Sequence, residues 1–236
     1  AAARAQPRAG GSVLRRRHGS GRRNNSERVE LMSSVIEKTM KNLERNNMKA
    51  YYAENKAQVC EIVKGMLFPG AVITAGGSMS LNESGVWDII SDPEYKFLNR
   101  LKPGISEEER LEIFRAAIGC DFFFCSSNAV TENGELINVD GNANRVAAYA
   151  YGPKHVLLIV GMNKVVKTEA DAMSRARNEA APINAQRFGI DTPCSKNGTC
   201  FDCKSPQCIC CQILTTRFSR VKGRFQIILV DENLGF

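Results

Sequence analysis

Short apolar runs separated by segments of helical periodicity constrain this chain more than any other feature. The runs are AVITAG (71–76), CDFFFCSS (120–127), ELINVDG (135–141) and HVLLIVG (155–161). They have the length and β-branched content of buried strands, and Gly or Pro bounds the first and the last. Between and before them, apolar residues return every three or four positions. SSVIEKTMKNLERNN (33–47) puts Val35, Ile36, Met40 and Leu43 on one face behind a Ser cap, and ENKAQVCEIVKGML (54–67) repeats the pattern with Ala57, Cys60, Ile62, Val63 and Met66. SEEERLEIFRAAIG (106–119) opens with the capping-box pair Ser106 and Glu109. NANRVAAYAYG (142–152) predicts a short helix stopped by Gly152 and Pro153, and TEADAMSRARNEA (168–180) a longer one. Strands alternating with helices at this spacing predict an α/β fold, a largely parallel sheet with helices on both faces.

With 236 residues the chain suits one domain with appendages. No apolar run approaches the roughly 18 residues of a membrane span. The net charge of +7 suggests a nucleic-acid partner until it is located. Eight arginines against Glu27 and Glu30 put six of the seven charges in residues 1–31. A nearly neutral body argues against a broad phosphate-tracking face, so nucleic acid is not the expected partner. The tail has too little apolar periodicity to order itself, and residues 1–31 are expected to be a disordered basic extension ahead of a domain at 32–236. An organelle-targeting segment, a nucleic-acid arm and residues upstream of the real start at Met32 compete as explanations. The body has no signal-peptide apolar stretch, and the expected compartment is the cytoplasm, with organelle targeting by the tail left open.

In α/β folds ligands sit in the loops beyond the carboxyl ends of strands. After AVITA comes GGSMSLNESG, where Gly76 and Gly77 let the backbone approach a ligand and Ser78 precedes a helix start. Free N–H groups there suit a phosphate or carboxylate. The loop is neither a P-loop nor a dinucleotide fingerprint, and no NAD or flavin motif occurs. The second loop system, SSNAVTENGELINVDGNANR (126–145), gathers Asn128, Glu132, Asn138, Asp140, Asn142 and Arg145. Asn138 and Asp140 share a face on the strand period, and Arg145 can neutralise a carboxylate. ENGE also reads as a hairpin turn, and Asn142 as a helix cap. Glu132, Asp140 and Arg145 are expected to line a pocket, with Glu132 and Asp140 the candidate catalytic acids. Lys164 follows a strand end, where a ligand-facing lysine would stand. His155 marks the start of a strand, Cys60 a core position, and Asp121 a strand start that caps or lines a site.

Six of the nine cysteines fall in CSKNGTCFDCKSPQCICC (194–211), spaced C-x5-C-x2-C-x4-C-x-C-C. Disulfide frameworks belong to small secreted domains, which this chain is not. The central C-x2-C lets two thiolates reach one metal, zinc or an iron–sulfur cluster, and reduced cysteines packing a loop remain the alternative.

The stretches GGSMSLNE, NAVTENGELINVDGNANRVAA, GPKHVLLIVGMNKVV, RNEAAPINAQRFG, TPCSKNGTCFDCKSP and ILVDENLGF, in this order from Ser33 to Phe236, resemble the LUD-domain family, the lactate utilization protein C-like group. The resemblance implies a fold similar to ribose-phosphate isomerase, glucosamine-phosphate deaminase and CoA transferases. It also implies a part in oxidising L-lactate to pyruvate beside iron–sulfur and oxidoreductase protein partners. Carried over from related folds, Gly76, Gly77 and Ser78 become an anion loop and Glu132 an acid. The family's cysteine pattern matches Cys194, Cys200, Cys203 and Cys210 in the loop 193–211, while Cys208 and Cys211 depart from it and leave the fourth metal ligand open. Three functions stay in play: a lactate-oxidation subunit binding a small carboxylate or phosphate, a CoA-transferase-like or sugar-phosphate isomerase-like enzyme using Glu132, and a non-enzymatic metal-binding regulator.

Overall fold

The structure, a computed structural model, describes residues 25–236, with side chains from Ser33 onward. The tail ahead of Asn25, with the readings made of it, lies outside the described residues.

In chain order the elements are α1 (Asn25–Arg45), β1 (Lys49–Ala53), α2 (Lys56–Met66), β2 (Val72–Ala75), α3 (Met79–Glu83), α4 (Val86–Ile90), β3 (Lys96–Leu98), α5 (Glu107–Ala116), β4 (Phe122–Cys125), β5 (Ala129–Thr131) and β6 (Leu136–Asp140). They continue through α6 (Asn144–Ala150), β7 (His155–Gly161), β8 (Val165–Val166), α7 (Glu169–Arg175), α8 (Ala181–Arg187), α9 (Pro193–Asn197), β9 (Gln212–Thr216) and β10 (Phe225–Val230). Six strands form an all-parallel sheet in the order β1-β10-β7-β4-β2-β3. The α/β reading therefore holds.

Parallel strands covered on both faces have apolar side chains on both, which is why β7 reads as an unbroken run. Val156, Leu158 and Val160 pack with Phe123, Ile227 and Leu229 under α1 and α6. Their neighbours Leu157 and Ile159 pack with Ile73, Phe124 and Ile228 against α2, α3 and α4. Single-residue alternation thus divides one strand between two cores, each a layer of helix on sheet.

The predicted strand 135–141 is found as β6, but in a second, four-stranded sheet of order β8-β5-β6-β9. There it runs antiparallel to β5 through the ENGE hairpin and antiparallel to β9. Gly134 takes φ +81 at that turn, and a Cβ there would stand 2.7 Å from the Leu43 backbone nitrogen. The capping box of α5 is present with both reciprocal bonds. The expected Ser cap of the first helix is not, because α1 starts at Asn25 and Ser33 lies inside it. The 168–180 helix is longer than expected and runs on to Arg187, crossing a π-helical segment at Ala176–Ala180. Pro182 explains the wide turn, since it has no N–H to give the carbonyl of Asn178. This helix packs Ala172, Ala176 and Ala181 on Ala129, Ile137 and Val139 of the second sheet.

Candidate functional site

Because β7, β4 and β2 are neighbours in the sheet, the loops beyond their carboxyl ends meet. The chain leaves β2 for β3 on one side and continues to β4 on the other, which is a topological switch point of the kind that opens a crevice. A small polar cleft of about 30 Å³ lies there, lined among others by Gly77, Ser78, Ser126, Asn128, Arg145 and Lys164. Asn184 of α8 and Phe236 complete its rim.

Lys164 forms the floor. It is only 3% exposed, and its ammonium donates to Ser80 Oγ at 2.8 Å and to Ser126 Oγ at 3.0 Å. Burial, with the nearby Arg175 and Arg145 charges adding to it, lowers its pKa from 10.5 to about 7. Two hydroxyls solvate the ammonium without neutralising it, and among the described residues no carboxylate forms an ion pair with it.

Arg145 stands at the wall. Its guanidinium donates to Asn128 Oδ1 at 2.8 Å and to the Val139 carbonyl at 2.6 Å, and pairs with Asp140 at 3.4 Å. Asn128 is the hub: its Oδ1 also accepts from Val139 N at 3.0 Å, its N–H donates to Asn138 Oδ1 at 3.3 Å, and its carbonyl accepts from Arg175. The arrangement fixes one amide, one guanidinium and one ammonium around the same cleft. Asn138 Nδ2 is fully buried and has no hydrogen-bond partner among the described residues.

Most of the predicted site residues come together. Gly77, Ser78, Asn128, Arg145 and Lys164 line the cleft, and Asp140 and Asn138 hold Arg145 and Asn128 from behind. Gly76 sits beneath, where a Cβ would come within 2.7 Å of Cys125 Sγ. Asn142 is exposed and does not cap α6; its N–H donates to Asp140 Oδ1 at 3.2 Å, while Ala143 in a left-handed conformation occupies the cap position. Glu132 is elsewhere, among residues facing α1: its carboxylate pairs with Lys38 at 2.7 Å and its carbonyl accepts from Asn42. Asp121 braces the sheet, accepting from Val72 N and from Lys154. Reading the sequence missed Ser126, Arg175 and Asn184. Ser126 follows the last residue of β4 and was detectable from that position alone; Arg175 and Asn184 are brought in by a helix that is remote in sequence.

A second cavity, of about 100 Å³, has Ala181 of α8 in its lining. Cys194, Cys200, Cys203, Cys208 and Cys210 line it, with Arg177 and Ile213. Cys211 is exposed and does not. All the cysteines are free thiols. Burial, then the presence of Cys208, Cys200 and Cys194, pushes the Cys210 thiol up to about 12. Among the described residues no three of Cys, His, Asp and Glu converge on a point that one metal ion could occupy.

A parallel six-stranded sheet under helices, with a polar cleft at its switch point and a basic residue at the floor, defines an α/β protein. The LUD domain model matches residues 36–230, and the chain belongs to that family, whose members are lactate utilization-related proteins. Among solved structures it is similar to a DUF162 family protein from Deinococcus radiodurans, at 14% identity and a TM-score of 0.46, over 84% of this chain and 98% of that one. It is more distantly similar to eIF2B beta from Chaetomium thermophilum, at 16% identity and a TM-score of 0.35, over 50% of this chain and 45% of the other. No curated protein matches the chain significantly. No helix among the described residues is long and apolar enough to cross a membrane.

Proposed function

We propose that this LUD-domain protein takes part in the oxidation of L-lactate to pyruvate as a subunit or accessory protein, and that its cleft binds a small carboxylate or phosphate. One observation carries the reading: a buried ammonium, Lys164, faces the cleft with hydroxyl partners only. An anionic ligand would supply the missing countercharge and regain in a low-dielectric site the interaction that burial removed. Arg145, already held by Asn128 and Asp140, offers a second positive group in the lining of the same cleft. Iron–sulfur and oxidoreductase proteins are the proposed partners in that oxidation. A transferase using Glu132 gains no support from its position, since that carboxylate is engaged by Lys38 outside the cleft lining.

Calorimetric titration with L-lactate, pyruvate and inorganic phosphate tests the cleft, using the unaltered chain and Lys164→Met. Binding of at least one of these anions, weakened tenfold or more by the substitution, is expected. Failure of all three to bind would sink the anion reading. Normal lactate-dependent growth of cells that lack the protein would refute the metabolic role.

A further inference from the structure

Lys164 binds an anion only as an ammonium, yet its surroundings also suit the uncharged amine. The two hydroxyls beside it are held in one hydrogen-bonding direction. Ser80 Oγ donates to the Leu234 carbonyl at 3.1 Å and Ser126 Oγ to the Ser127 carbonyl at 3.4 Å. Each hydroxyl has one hydrogen to give, so each oxygen meets the Lys164 nitrogen as an acceptor, at 2.8 Å and 3.0 Å. Two N–H bonds of the nitrogen are fixed in this way. Its fourth tetrahedral position, a third hydrogen in the ammonium and a lone pair in the amine, has no protein partner among the described residues. Lys164 is only 3% exposed and still lines the cleft, so the cleft is the space in which a molecule meets this nitrogen.

The amine is also present in quantity. A surface lysine near neutral pH is ammonium almost throughout, with free amine at less than about one part in a thousand. Burial, then the Arg175 charge and that of Arg145, brings Lys164 down to about 7 against the opposing influence of Cys125 and Glu83. Amine and ammonium therefore coexist there in comparable amounts at neutral pH. A desolvated, unprotonated lysine is a nucleophile toward carbonyl carbon. The cleft sets the size of what it meets: about 30 Å³ is roughly the room of two water molecules and suits the smallest carbonyl compounds better than a sugar phosphate. Arg145 in the same lining offers a carboxylate on that compound a positive partner.

We infer that Lys164 is a covalent attachment site for a small 2-oxo acid, which it holds in the cleft as an imine; the inference rests on the proposal that this cleft takes a small carboxylate. The amine lone pair adds to the 2-carbonyl carbon as the carbonyl π bond breaks, giving a carbinolamine. Both amine hydrogens then leave with the former carbonyl oxygen as one molecule of water, and the nitrogen and carbon are left doubly bonded. Nothing is oxidised or reduced. Ser126 lines the cleft and holds its donor bond to Ser127 at only 3.4 Å, so of the two hydroxyls it is the one placed to pass a proton to that oxygen. The device separates two acids that differ by two hydrogens. A 2-hydroxy acid such as L-lactate has no carbonyl carbon to offer and meets the ammonium alone, whereas a 2-oxo acid such as pyruvate is held by a bond.

Reductive trapping tests it. The full chain is incubated at neutral pH with pyruvate and sodium cyanoborohydride in buffer free of phosphate and amines, and L-lactate replaces pyruvate in a parallel sample. Intact mass and peptide mapping locate the product. One adduct per chain is expected, heavier by pyruvic acid less one oxygen atom and at least about tenfold more abundant at Lys164 than at any surface lysine. It should be absent with L-lactate, absent in Lys164→Arg, which keeps a positive charge but has no primary amine, and retained in Lys167→Arg, an exposed position. Peptide mapping of the unaltered chain identifies the lysine even if Lys164→Arg does not fold. No adduct, or an adduct no more abundant at Lys164 than at surface lysines, would overturn the inference. The anion titration fails separately: lactate or phosphate binding without a pyruvate adduct removes the imine and leaves the anion site, whereas an adduct at Lys164 without binding of either removes the anion site and leaves the imine.

Discussion

Lys164 gives the sharpest prediction, because its burial has a pH signature. Moving the ammonium from 10.5 in the unfolded chain to about 7 in the native one opposes folding by up to about 5 kcal/mol, at about 1.4 kcal/mol per pH unit. Between those two values the unfolded chain holds a proton that the native protein has released, so native stability rises with pH. Below about 7 the ammonium is charged in both states and its full penalty applies. Lys164→Met removes the charge, together with the bonds to Ser80 and Ser126, whose loss is independent of pH. In ligand-free buffer, the stability of the native sequence relative to Lys164→Met should therefore climb by about 1.4 kcal/mol for each pH unit between about 7.5 and 9.5. Urea unfolding of both proteins across that range measures it, and thiol titration cancels in the difference because both chains carry the same cysteines. A difference that stays level or falls as pH rises would refute the buried ammonium.

Anion binding at the same residue should weaken by up to tenfold for each pH unit above about 7, as the free amine replaces the ammonium; phosphate affinity measured at several pH values checks this against a pH-independent result. Arg175→Met withdraws the buried guanidinium from the Asn128 and Asn163 carbonyls and should cost about 2 to 4 kcal/mol in urea unfolding while also loosening the anion site. Gly161→Ala places a Cβ 2.5 Å from the Leu234 backbone nitrogen and 2.7 Å from the Glu232 carbonyl, neither of which can rotate away, so a loss of about 1 to 3 kcal/mol is expected. Gly65→Ala, inside α2 with nothing within 4 Å of the new carbon, should instead raise stability by about 0.5 to 1 kcal/mol; a shift of the unfolding midpoint the other way in either variant would count against this reading of the backbone.

The sequence by itself determined the elements whose causes are local. β7 is legible because a strand covered on both faces is apolar throughout, and α5 because Ser106 and Glu109 satisfy each other's backbone within one turn. Lys164 and the Gly77–Ser78 turn could be marked as cleft residues because strand ends of an α/β sheet are where ligands lie. Tertiary structure decided the rest. Sheet membership depends on which partner offers free backbone groups, so β6 pairs with β9 from more than seventy residues away and leaves the parallel sheet. Glu132 follows the hairpin of that second sheet toward Lys38, while Asn128 at the other end of β5 is carried into the cleft. Arg175 and Arg177, two positions apart in sequence, reach different cavities, one toward Asn128 and the other toward Cys200. Residues two apart on a helix face different directions, and no residue type or spacing reveals which wall each will meet until the helix has been laid between them.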